Sequence, residues 1–581
     1  MTELFEPTDA ADRRLALSAK GVLRTFNEAG VLTSADVHVA RRLAALTGEE
    51  SEAVQLAVGL ATRAVRLGSV CLDLATASQV APELDWPESG AWARAVQASP
   101  LVAHGMVHLE RGLLYLDRYH RQEVQVCADI LARIRRPAPH VDRDLVDAAV
   151  ERVFTGETWA EQRAACRAAA ASWTTVLTGG PGTGKTSTVA GLLAVLAEQA
   201  ARDEIPLRVA LAAPTGKAAA RLQEAVARAT ERLPDADRDR LGVLPASTLH
   251  RLLGRRPDND TRFRHHRGNR LPQDVIVVDE TSMVSLTMMT RLVEAVRPDA
   301  RLILVGDPDQ LASVEAGAVL ADLVPGFDGA DDSPVVTLRT SHRFGDAIGA
   351  LATAIRIGDS DRVLALLRAR EGGLDLVEDP DPAPVLRQAL VPTALEVRRL
   401  AAAGDGAGAV AALDRHRLLC AHREGPFGVR HWNRQAEHWL SEATGDPLHS
   451  PMYLGRPLLV TSNDYGLGLY NGDTGVVVAH GDGVRAVIGS SRGLLGFAPG
   501  RISDVETMHA MTVHKSQGSQ ADEVTVLLPE DDSRLLSREL FYTAVTRARR
   551  SVRVVGSEAA VRAAVERRVQ RASGLRQRLV R

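Results

Sequence analysis

The sequence predicts an α/β protein, because strand and helix patterns alternate along most of the chain. Residues 175–189, TVLTGGPGTGKTSTV, combine a β-branched run, a glycine-rich turn and the start of a helix. Residues 275–278, VIVV, are continuously apolar, which is typical of a strand in a parallel sheet covered on both faces. The alternation returns near the C-terminal end, where residues 524–528 predict a strand and residues 537–549 a helix.

The composition is that of a large globular chain. Its 581 residues suggest roughly four domains, and 45% of them are hydrophobic. The net charge of −3 gives no general basic signature, so any nucleic acid has to meet local patches. The four cysteines form no C-x-x-C pair, so we predict neither a disulfide framework nor a zinc site. Because no signal-like or membrane-length apolar run occurs, we expect a cytoplasmic protein without a membrane segment.

Residues 1–150 predict a mainly helical N-terminal domain that serves interaction. Segments 51–67 and 113–130 both have apolar residues at helical spacing. The second segment also contains a polar set, which offers either a binding face or, as we favour, amphipathic packing with partly exposed tips. Its members are Tyr115, Tyr119, His120 and Glu123.

The glycine-rich turn satisfies G-x-x-x-x-G-K-[ST], which predicts a nucleoside-triphosphate loop. Glycines without a Cβ let successive N–H groups point at phosphate, and the following helix N-terminus adds partial positive charge. We expect Lys185 to reach the β- and γ-phosphates and the Thr186 hydroxyl to bind Mg²⁺. The predicted nucleotide contacts are Gly179, Gly180, Pro181, Gly182, Thr183, Gly184, Lys185, Thr186 and Ser187. The alternative is a glycine-rich turn that merely precedes a helix.

Two adjacent carboxylates, Asp279 and Glu280, directly follow the apolar run 275–278. Such a pair at a strand end is costly unless a cation or a catalytic role accounts for it. We expect Asp279 to hold Mg²⁺, directly or through water, and Glu280 to orient or deprotonate the attacking water. With the loop upstream, the pair predicts hydrolysis in addition to nucleotide binding.

Four further side chains are candidate nucleotide contacts. Gln310 follows the predicted strand 301–305 and is expected beside the γ-phosphate. Arg343 is a candidate phosphate contact, and Arg547 is a candidate arginine finger, donated across an interdomain cleft. Gln162 lies in the first turn of a predicted helix, 158–171, and its amide suits an adenine edge.

Other stretches suggest a second phosphate-binding region. Pro214, Thr215 and Lys217 follow the predicted strand 207–213, where backbone donors, a hydroxyl and an ammonium could seat a phosphate. A helix N-cap is the other interpretation of Thr215. The basic run 255–270 is either a solvated loop or a nucleic-acid contact. Lysine is rare, since only Lys20, Lys185, Lys217 and Lys515 occur, which suggests sites that need a compact ammonium.

The C-terminal half contains two changes of pattern. Residues 401–412, AAAGDGAGAVAA, have the low complexity of a linker. Residues 454–503 show short strands separated by turn residues, which predicts a small antiparallel β-unit inserted into an α/β domain.

Eight stretches in this order resemble the superfamily 1 helicases of the 5′-to-3′ branch, and more narrowly the RecD family, the alpha subunits of bacterial RecBCD helicase–nucleases (exodeoxyribonuclease V). They are GGPGTGKT, APTGKAAARL, STLHRLL, VIVVDETSMV, LVGDPDQLASVEAGAVL, TSHRF, MTVHKSQGSQADEV and FYTAVTRARR. The resemblance runs from about residue 150 to the C-terminal end and includes residues 455–475.

The resemblance implies two RecA-like P-loop lobes with ATP between them and single-stranded DNA across their top. The first lobe would span 151–345, with a short pin-like excursion at 255–270. The second lobe would span 346–581, with a small SH3-like β insertion at about 450–508.

The resemblance also implies roles for single residues. Gln162 would read adenine, and Arg343 and Arg547 would reach phosphates from the second-lobe side. Gln520 stands where relatives commonly carry a Glu that binds ribose, so its contact would be weaker. The residues expected along the DNA are Pro214, Thr215, Lys217, Thr248, His250, Asn463, Thr512, His514 and Lys515.

The function implied is an ATP-driven 5′-to-3′ DNA translocase and helicase. It would act on single-stranded DNA and duplex ends, with RecB-like and RecC-like subunits in a heterotrimer, during double-strand-break repair and recombination. We find no nuclease-like carboxylate cluster in the sequence, so we expect no nuclease activity in this chain. One alternative is a stand-alone RecD-like helicase, which would carry a longer N-terminal extension. The other is an assembly subunit with a silent motor, which Glu280, Gln310 and Arg547 disfavour.

Overall fold

Two parallel sheets and one antiparallel sheet organise the computed structural model of the chain. It describes residues 4–580 except 6, 8, 10, 257, 258, 341–345, 465, 491 and 492. Statements about side chains also leave out residues 256, 259–261 and 346. Within the described part, no helix is both long and apolar enough to cross a lipid bilayer.

The N-terminal domain is a set of helices around a three-stranded antiparallel sheet, in the order β1-β3-β2. Its helices are α1 (Gly21–Glu28), α2 (Ser34–Thr47), α3 (Glu52–Arg66), α4 (Ser89–Gln97), α5 (Pro100–Ala103) and α6 (Asp117–Ile134). Its strands are β1 (Leu72–Asp73), β2 (Val107–Glu110) and β3 (Leu113–Leu116). Ser51 caps α3, because its side chain accepts a hydrogen bond from Val54 N, and the helix predicted at 51–67 is confirmed.

The helix predicted over 113–130 is wrong in its first turn. Leu113–Leu116 is strand β3, which pairs with β2 on one side and with β1 on the other. Three consecutive buried residues satisfy both faces of a small sheet, and this tertiary pairing overrides the helical spacing. The helix begins only at Asp117.

The first parallel sheet holds the strand order β11-β4-β10-β9-β5-β6. The strands of this region are β4 (Thr174–Gly179), β5 (Val209–Ala213), β6 (Ala246–Thr248), β7 (Arg255–Arg256), β8 (Asn259–Phe263), β9 (Val275–Val278), β10 (Arg301–Gly306) and β11 (Val335–Leu338). Its helices are α7 (Arg143–Val153), α8 (Ala160–Ala170), α9 (Lys185–Arg202), α10 (Gly216–Thr230), α11 (Asp235–Leu241), α12 (Leu249–Leu253), α13 (Leu286–Ala295) and α14 (Val319–Gly326). All four residues of β9 are fully buried, as expected for a strand covered on both faces.

The basic run 255–270 begins as a two-stranded antiparallel ribbon, in which β7 pairs with β8. The interpretation as a simple loop is therefore wrong for this part of the run. Phe263 at the end of β8 is buried in the core of the first lobe. Arg267, after the ribbon, forms an ion pair with Asp129 of α6 at 2.6 Å, so the end of the basic run lies against the N-terminal domain.

The second parallel sheet has the order β12-β21-β20-β13-β19. Its strands are β12 (Leu374–Val377), β13 (His416–Cys420), β19 (Ala510–Thr512), β20 (Ala521–Leu527) and β21 (Ala548–Val555). Between β13 and β19 the chain forms five further strands, which are β14 (Pro457–Val460), β15 (Thr474–His480), β16 (Gly483–Ser490), β17 (Gly493–Phe497) and β18 (Val505–Thr507). The helices are α15 (Asp346–Ile357), α16 (Ser360–Ala369), α17 (Ala383–Ala402), α18 (Gly406–Ala412), α19 (Val429–Thr444), α20 (Val513–Ser516), α21 (Arg538–Val545), α22 (Glu558–Glu566) and α23 (Leu575–Leu579).

The linker predicted at 401–412 is wrong. The segment contains the end of α17 and the whole of α18, which Asp405 caps by accepting a hydrogen bond from Gly408 N at 2.8 Å. Ala401, Ala409 and Ala412 are buried in the core of the second lobe. Small side chains at these positions let the two helices approach the β insertion closely, so the low complexity reflects packing.

The predicted β-unit is confirmed as a five-stranded antiparallel sheet in the order β17-β16-β15-β14-β18. We call this sheet the β insertion. Its longest pairing joins β15 to β16 from Thr474↔Gly489 to His480↔Gly483. The chain enters it from α19 and leaves it into β19 of the second parallel sheet.

The C-terminal segment, residues 567–580, packs against the N-terminal domain and the first lobe. Helix α23 packs on α14 and α6, so it contacts the first lobe and the N-terminal domain. Buried Glu123 in α6 is the anchor, because it accepts hydrogen bonds from Tyr115 Oη (3.0 Å), Ser573 Oγ (3.0 Å), Gly574 N (3.1 Å) and Arg578 Nε (2.9 Å). Packing is therefore confirmed for the Tyr115 and Glu123 side chains.

An alanine at position 123 is expected to destabilise this junction strongly. It would leave Arg578, whose side chain is only 12% exposed, without one of its two carboxylate partners. We expect the free energy of unfolding to fall by about 3 kcal/mol, measured by urea denaturation followed by tryptophan fluorescence. Glu28→Ala removes an exposed ion pair with Arg24 and serves as the control, with no measurable change expected. Equal stability of both variants would contradict the assignment.

Candidate functional site

The predicted nucleotide loop connects β4 to α9 at the carboxyl edge of the first sheet. Gly182 and Gly184 have φ values of +82° and +84°, which L side chains rarely adopt. A Cβ at Gly179 would lie 2.6 Å from Thr183 Oγ1, so the loop also needs glycine for close approach. Lys185 Nζ donates hydrogen bonds to Gly179 O at 2.6 Å and to Gly180 O at 2.9 Å. The ammonium therefore lies at the mouth of the loop, where phosphate oxygens can replace the two carbonyls.

Gln162 supports the loop from behind. Its side chain is fully buried, and Nε2 donates a hydrogen bond to Thr183 O at 2.9 Å. A Cβ at Gly184 would lie 3.2 Å from this amide nitrogen and 3.5 Å from the Trp159 ring. The structure thus places Gln162 next to the loop, and its role towards adenine stays a prediction.

The two carboxylates lie at the end of β9, as predicted. Glu280 has a φ of +50°, and its backbone N–H donates to Asp279 Oδ1 at 2.9 Å. Burial and the neighbouring charge of Glu280 together raise the pKa of Asp279 to about 6, while the hydrogen bond from the Glu280 backbone and the charge of Lys185 oppose the shift. A buried carboxyl with a raised pKa is suited to bind a cation, which would favour its ionised form.

Gln310 and Arg547 meet across the cleft between the two lobes. Arg547 Nη2 donates to Gln310 Oε1 at 2.9 Å, and Arg547 Nε donates to Thr543 O at 3.1 Å. Gln310 Nε2 in turn donates to Asp307 Oδ2 at 3.0 Å. The guanidinium is 5% exposed, so this contact is shielded from water.

Two members of this network, Asp307 and Tyr542, were missed by the sequence analysis. Tyr542 Oη donates to Asp307 Oδ2 at 3.0 Å, and it also lies 3.3 Å from where a Cβ on Gly180 would be. Burial raises the pKa of Tyr542 well above its usual value, so the hydroxyl stays a donor. Asp307 could have been found because it ends an apolar strand, but Tyr542 has the pattern of a core aromatic.

The loop after Gln310 is fixed at several points. Leu311 N donates to Thr543 Oγ1 at 2.9 Å, and Gln517 Nε2 donates to Leu311 O at 2.8 Å. Arg571 of the C-terminal segment donates to Ser313 O and, at 3.3 Å, to Glu315 O. The position of Gln310 therefore depends on both the second lobe and the C-terminal segment.

A cavity of about 590 Å³, which we call the nucleotide cavity, unites most of the predicted residues. Its lining includes Pro181, Gly182, Thr183, Gly184, Lys185, Thr186, Ser187, Asp279, Glu280, Gln310, Gln520 and Arg547. Gly179, Gly180 and Gln162 support the loop, and Arg343 lies outside the described residues. The lining also includes Trp159 and Arg221, which the sequence analysis did not single out.

A second cavity, of about 580 Å³, lies between both lobes and the β insertion, and we call it the channel. Its lining includes all nine residues predicted to contact DNA: Pro214, Thr215, Lys217, Thr248, His250, Asn463, Thr512, His514 and Lys515. These residues come from four separate stretches of the chain. Their shared location is observed, whereas contact with DNA stays a prediction.

Three threonines that line the channel are N-cap residues of helices. Thr215 accepts from Ala218 N at 3.2 Å, Thr248 from Arg251 N at 3.2 Å, and Thr512 from Lys515 N at 3.3 Å. The N-cap interpretation of Thr215 is therefore confirmed. Helix N-termini from both lobes consequently face the channel, and their partial positive charge favours phosphate.

The two lysines of the channel differ in surroundings. Lys515 Nζ donates to Asn471 Oδ1 of the β insertion at 2.7 Å. Lys217 Nζ is buried and has no hydrogen-bond partner within the part of the chain that the structure describes. Burial lowers the pKa of Lys217 to about 7, so near neutral pH this lysine is partly uncharged.

Comparisons with known proteins agree with this arrangement. Family profiles match residues 28–115 (RecBCD enzyme subunit RecD, N-terminal domain), 157–378 (AAA domain) and 507–555 (UvrD-like helicase C-terminal domain). With the fold, they define the class of the protein, which is an ATP-dependent helicase.

Individual relatives identify the family of helicases to which the chain belongs. The RecBCD enzyme subunit RecD of Mycobacterium tuberculosis strain H37Rv is 62% identical over 98% of this chain and 98% of its own length. That of Mycolicibacterium smegmatis is 62% identical over 96% of this chain and 99% of its own. The ATP-dependent RecD2 DNA helicase of Deinococcus radiodurans is 32% identical over 83% of this chain and 60% of its own. The chain belongs to the RecD family.

Proposed function

We propose that this helicase moves 5′ to 3′ along single-stranded DNA by hydrolysing ATP with Mg²⁺. The observation that carries the proposal is the contact of second-lobe Arg547 with first-lobe Gln310, beside the nucleotide loop. Because both residues line the nucleotide cavity, closure of the lobes and binding of a terminal phosphate are coupled at one place. The polarity comes from the family resemblance.

The residues of the nucleotide cavity fit ATP and Mg²⁺. The strained glycine loop offers backbone donors, and Lys185 offers a compact cation at its mouth. Thr186 and Asp279 both line the cavity and would hold the metal. Bound Mg²⁺ neutralises charge on the phosphate oxygens. Glu280 would take the proton of the attacking water, and Arg547, on leaving Gln310, would stabilise the charge of the transferring phosphoryl group.

We further propose which residues contact the adenine and the ribose of the nucleotide, and where the two lobes begin and end. Gln162 and Trp159 lie together beside Gly184, which supports an adenine site at this end of the loop. Gln520 lines the cavity and would accept a hydrogen bond from ribose, more weakly than a carboxylate. The sheet topology supports lobes at 151–345 and 346–581 with an SH3-like insertion at about 450–508.

Movement along DNA would follow from the contribution of both lobes to the lining of the channel. Thr215, Thr248 and His250 belong to the first lobe, whereas Thr512, His514 and Lys515 belong to the second. When the lobes change their separation, the two sets of phosphate contacts shift relative to one another, which produces a step. Contacts to the backbone predict binding that is salt-sensitive and largely independent of sequence.

A Lys515→Ala variant tests the DNA part of this proposal. It is expected to weaken binding of single-stranded oligonucleotides of any sequence and to reduce the slope of log K against log salt by about 0.7. Fluorescence anisotropy at several salt concentrations measures both quantities. Lys20→Ala, an exposed lysine of the N-terminal domain, is the control. An unchanged salt slope in Lys515→Ala would contradict the assignment of this lysine to the channel contact.

We propose that the chain works in a heterotrimer with RecB-like and RecC-like subunits on DNA ends in the cytoplasm, during recombination and repair. Its 62% identity to a subunit named RecBCD enzyme subunit RecD supports this assembly over a stand-alone helicase, since the ATP-dependent RecD2 DNA helicase of Deinococcus radiodurans is only 32% identical. Co-purification with the two subunits from its own source organism is expected. Processive unwinding by the chain alone would favour the stand-alone alternative.

A further inference from the structure

Arg221 brings its guanidinium group to the wall of the nucleotide cavity. It lies in α10, is partly buried, and lines the cavity together with Thr186 and Glu280. Among the residues that the structure describes, none forms a hydrogen bond or ion pair with it. A guanidinium that is even partly withdrawn from water and lacks such a partner is costly, so its position favours a bound anion.

The charges around Arg221 strengthen this argument. Burial, together with the nearby positive charges of Arg547 and Arg549, lowers the pKa of Arg221 to about 10. Asp414 and Glu280 oppose the shift. Asp414, however, already accepts a hydrogen bond from Arg417 Nη2 at 2.7 Å. Two guanidinium groups, Arg221 and Arg547, thus face the same cavity from opposite lobes, an arrangement that a multivalent anion between them would stabilise.

Helix α10 also relates this arginine to the channel. Its N-cap Thr215 and its residue Lys217 line the channel, and Arg221 follows one turn after Lys217. Residues four apart lie on the same helix face. One short piece of helix therefore presents a basic side chain to each of the two cavities.

We propose that Arg221 is a further phosphate-binding residue of the helicase, which contacts the terminal phosphate of the nucleotide from the first lobe. This inference rests on the proposed function. Arg221 would act on the side of the phosphate near Glu280, whereas Lys185 acts from the loop and Arg547 from the second lobe. Because α10 starts in the channel, DNA that contacts Thr215 and Lys217 would steady the helix that positions Arg221.

Binding of two nucleotide states tests this inference without measuring turnover. The full chain is titrated with ADP and with ADP plus aluminium fluoride, each in the presence of Mg²⁺ and a single-stranded oligonucleotide. Aluminium fluoride occupies the place of the terminal phosphate. Arg221→Gln is expected to leave the Kd for ADP within about twofold and to weaken ADP–aluminium fluoride binding about tenfold or more, because a charge-assisted hydrogen bond is lost. Arg221→Lys, which keeps the charge, should recover part of the loss.

Arg238→Gln is the matched control, because Arg238 lies in the next helix, α11, is largely exposed and is not among the residues that line the nucleotide cavity. It is expected to behave as wild type. Equal weakening of ADP and ADP–aluminium fluoride in Arg221→Gln, or no weakening of either, would overturn the inference. So would an Arg238→Gln variant as impaired as Arg221→Gln. Failure of the wild-type chain to bind ADP would instead overturn the proposed function.

Discussion

An Arg547→Ala variant is expected to lose about 10³-fold or more of the kcat for ATP hydrolysis, the effect of removing an arginine finger. In the structure this guanidinium is buried and bonded to Gln310 across the lobe interface. Its removal takes away both the charge that stabilises the transferring phosphoryl group and the donor that positions Gln310. The Kd for ATP should change much less, since Lys185 and the glycine loop remain. Steady-state turnover with saturating single-stranded DNA and equilibrium binding of ATP measure the two quantities.

Arg550→Ala provides the control for this variant. Arg550 lies three residues further along the chain in β21 and is exposed, outside the nucleotide cavity. Its variant is expected to turn over ATP at the wild-type rate. An Arg547→Ala protein that keeps more than about a tenth of wild-type kcat would show that hydrolysis does not depend on the second lobe through this residue.

A Lys185→Ala variant is expected to abolish ATP turnover, with kcat/KM lowered about 10³-fold or more. Unlike Arg547→Ala, it should also weaken ATP binding itself, because the lysine charge acts on the phosphates in the ground state as well as during transfer. Within the part of the chain that the structure describes, the Lys185 ammonium bonds to carbonyls of the glycine loop, away from the N-terminal domain proposed for interaction, so co-purification with partner subunits should persist. Turnover and nucleotide affinity are measured on the same preparation.

Lys20→Ala again serves as the control, since Lys20 is exposed at the start of α1 and far in sequence from the loop. It is expected to leave turnover unchanged. Normal ATP hydrolysis in Lys185→Ala would refute the assignment of the glycine loop. A turnover loss without any loss of ATP affinity would instead indicate that Lys185 acts only in the transition state.

The sequence could predict those functional residues that directly follow a strand. The glycine loop, Asp279 and Glu280, and Gln310 each follow an apolar run, and parallel strands bring their carboxyl ends to one sheet edge. Their meeting in one cavity follows from the order β4-β10-β9. The nine channel residues needed the family resemblance as well, because their stretches belong to three different sheets.

The missed features depend on contacts between distant parts of the chain. Tyr542 bonds to Asp307 across 235 positions, and Gly574 bonds to Glu123 across 451. Local periodicity contains no information about such pairs. The same limit explains the strand at Leu113–Leu116 and the helix at Gly406–Ala412, where pairing and packing with neighbours decide the local structure.

The measurement that most directly tests the central claim is unwinding of duplexes that carry a single-stranded tail on one strand only. The chain, with Lys185→Ala as the inactive control, is mixed with 5′-tailed and with 3′-tailed substrates of equal length, and strand separation is followed after addition of ATP and Mg²⁺. We predict ATP-dependent separation of the 5′-tailed duplex and none of the 3′-tailed duplex. Separation of the 3′-tailed duplex alone would contradict the proposed 5′-to-3′ motor.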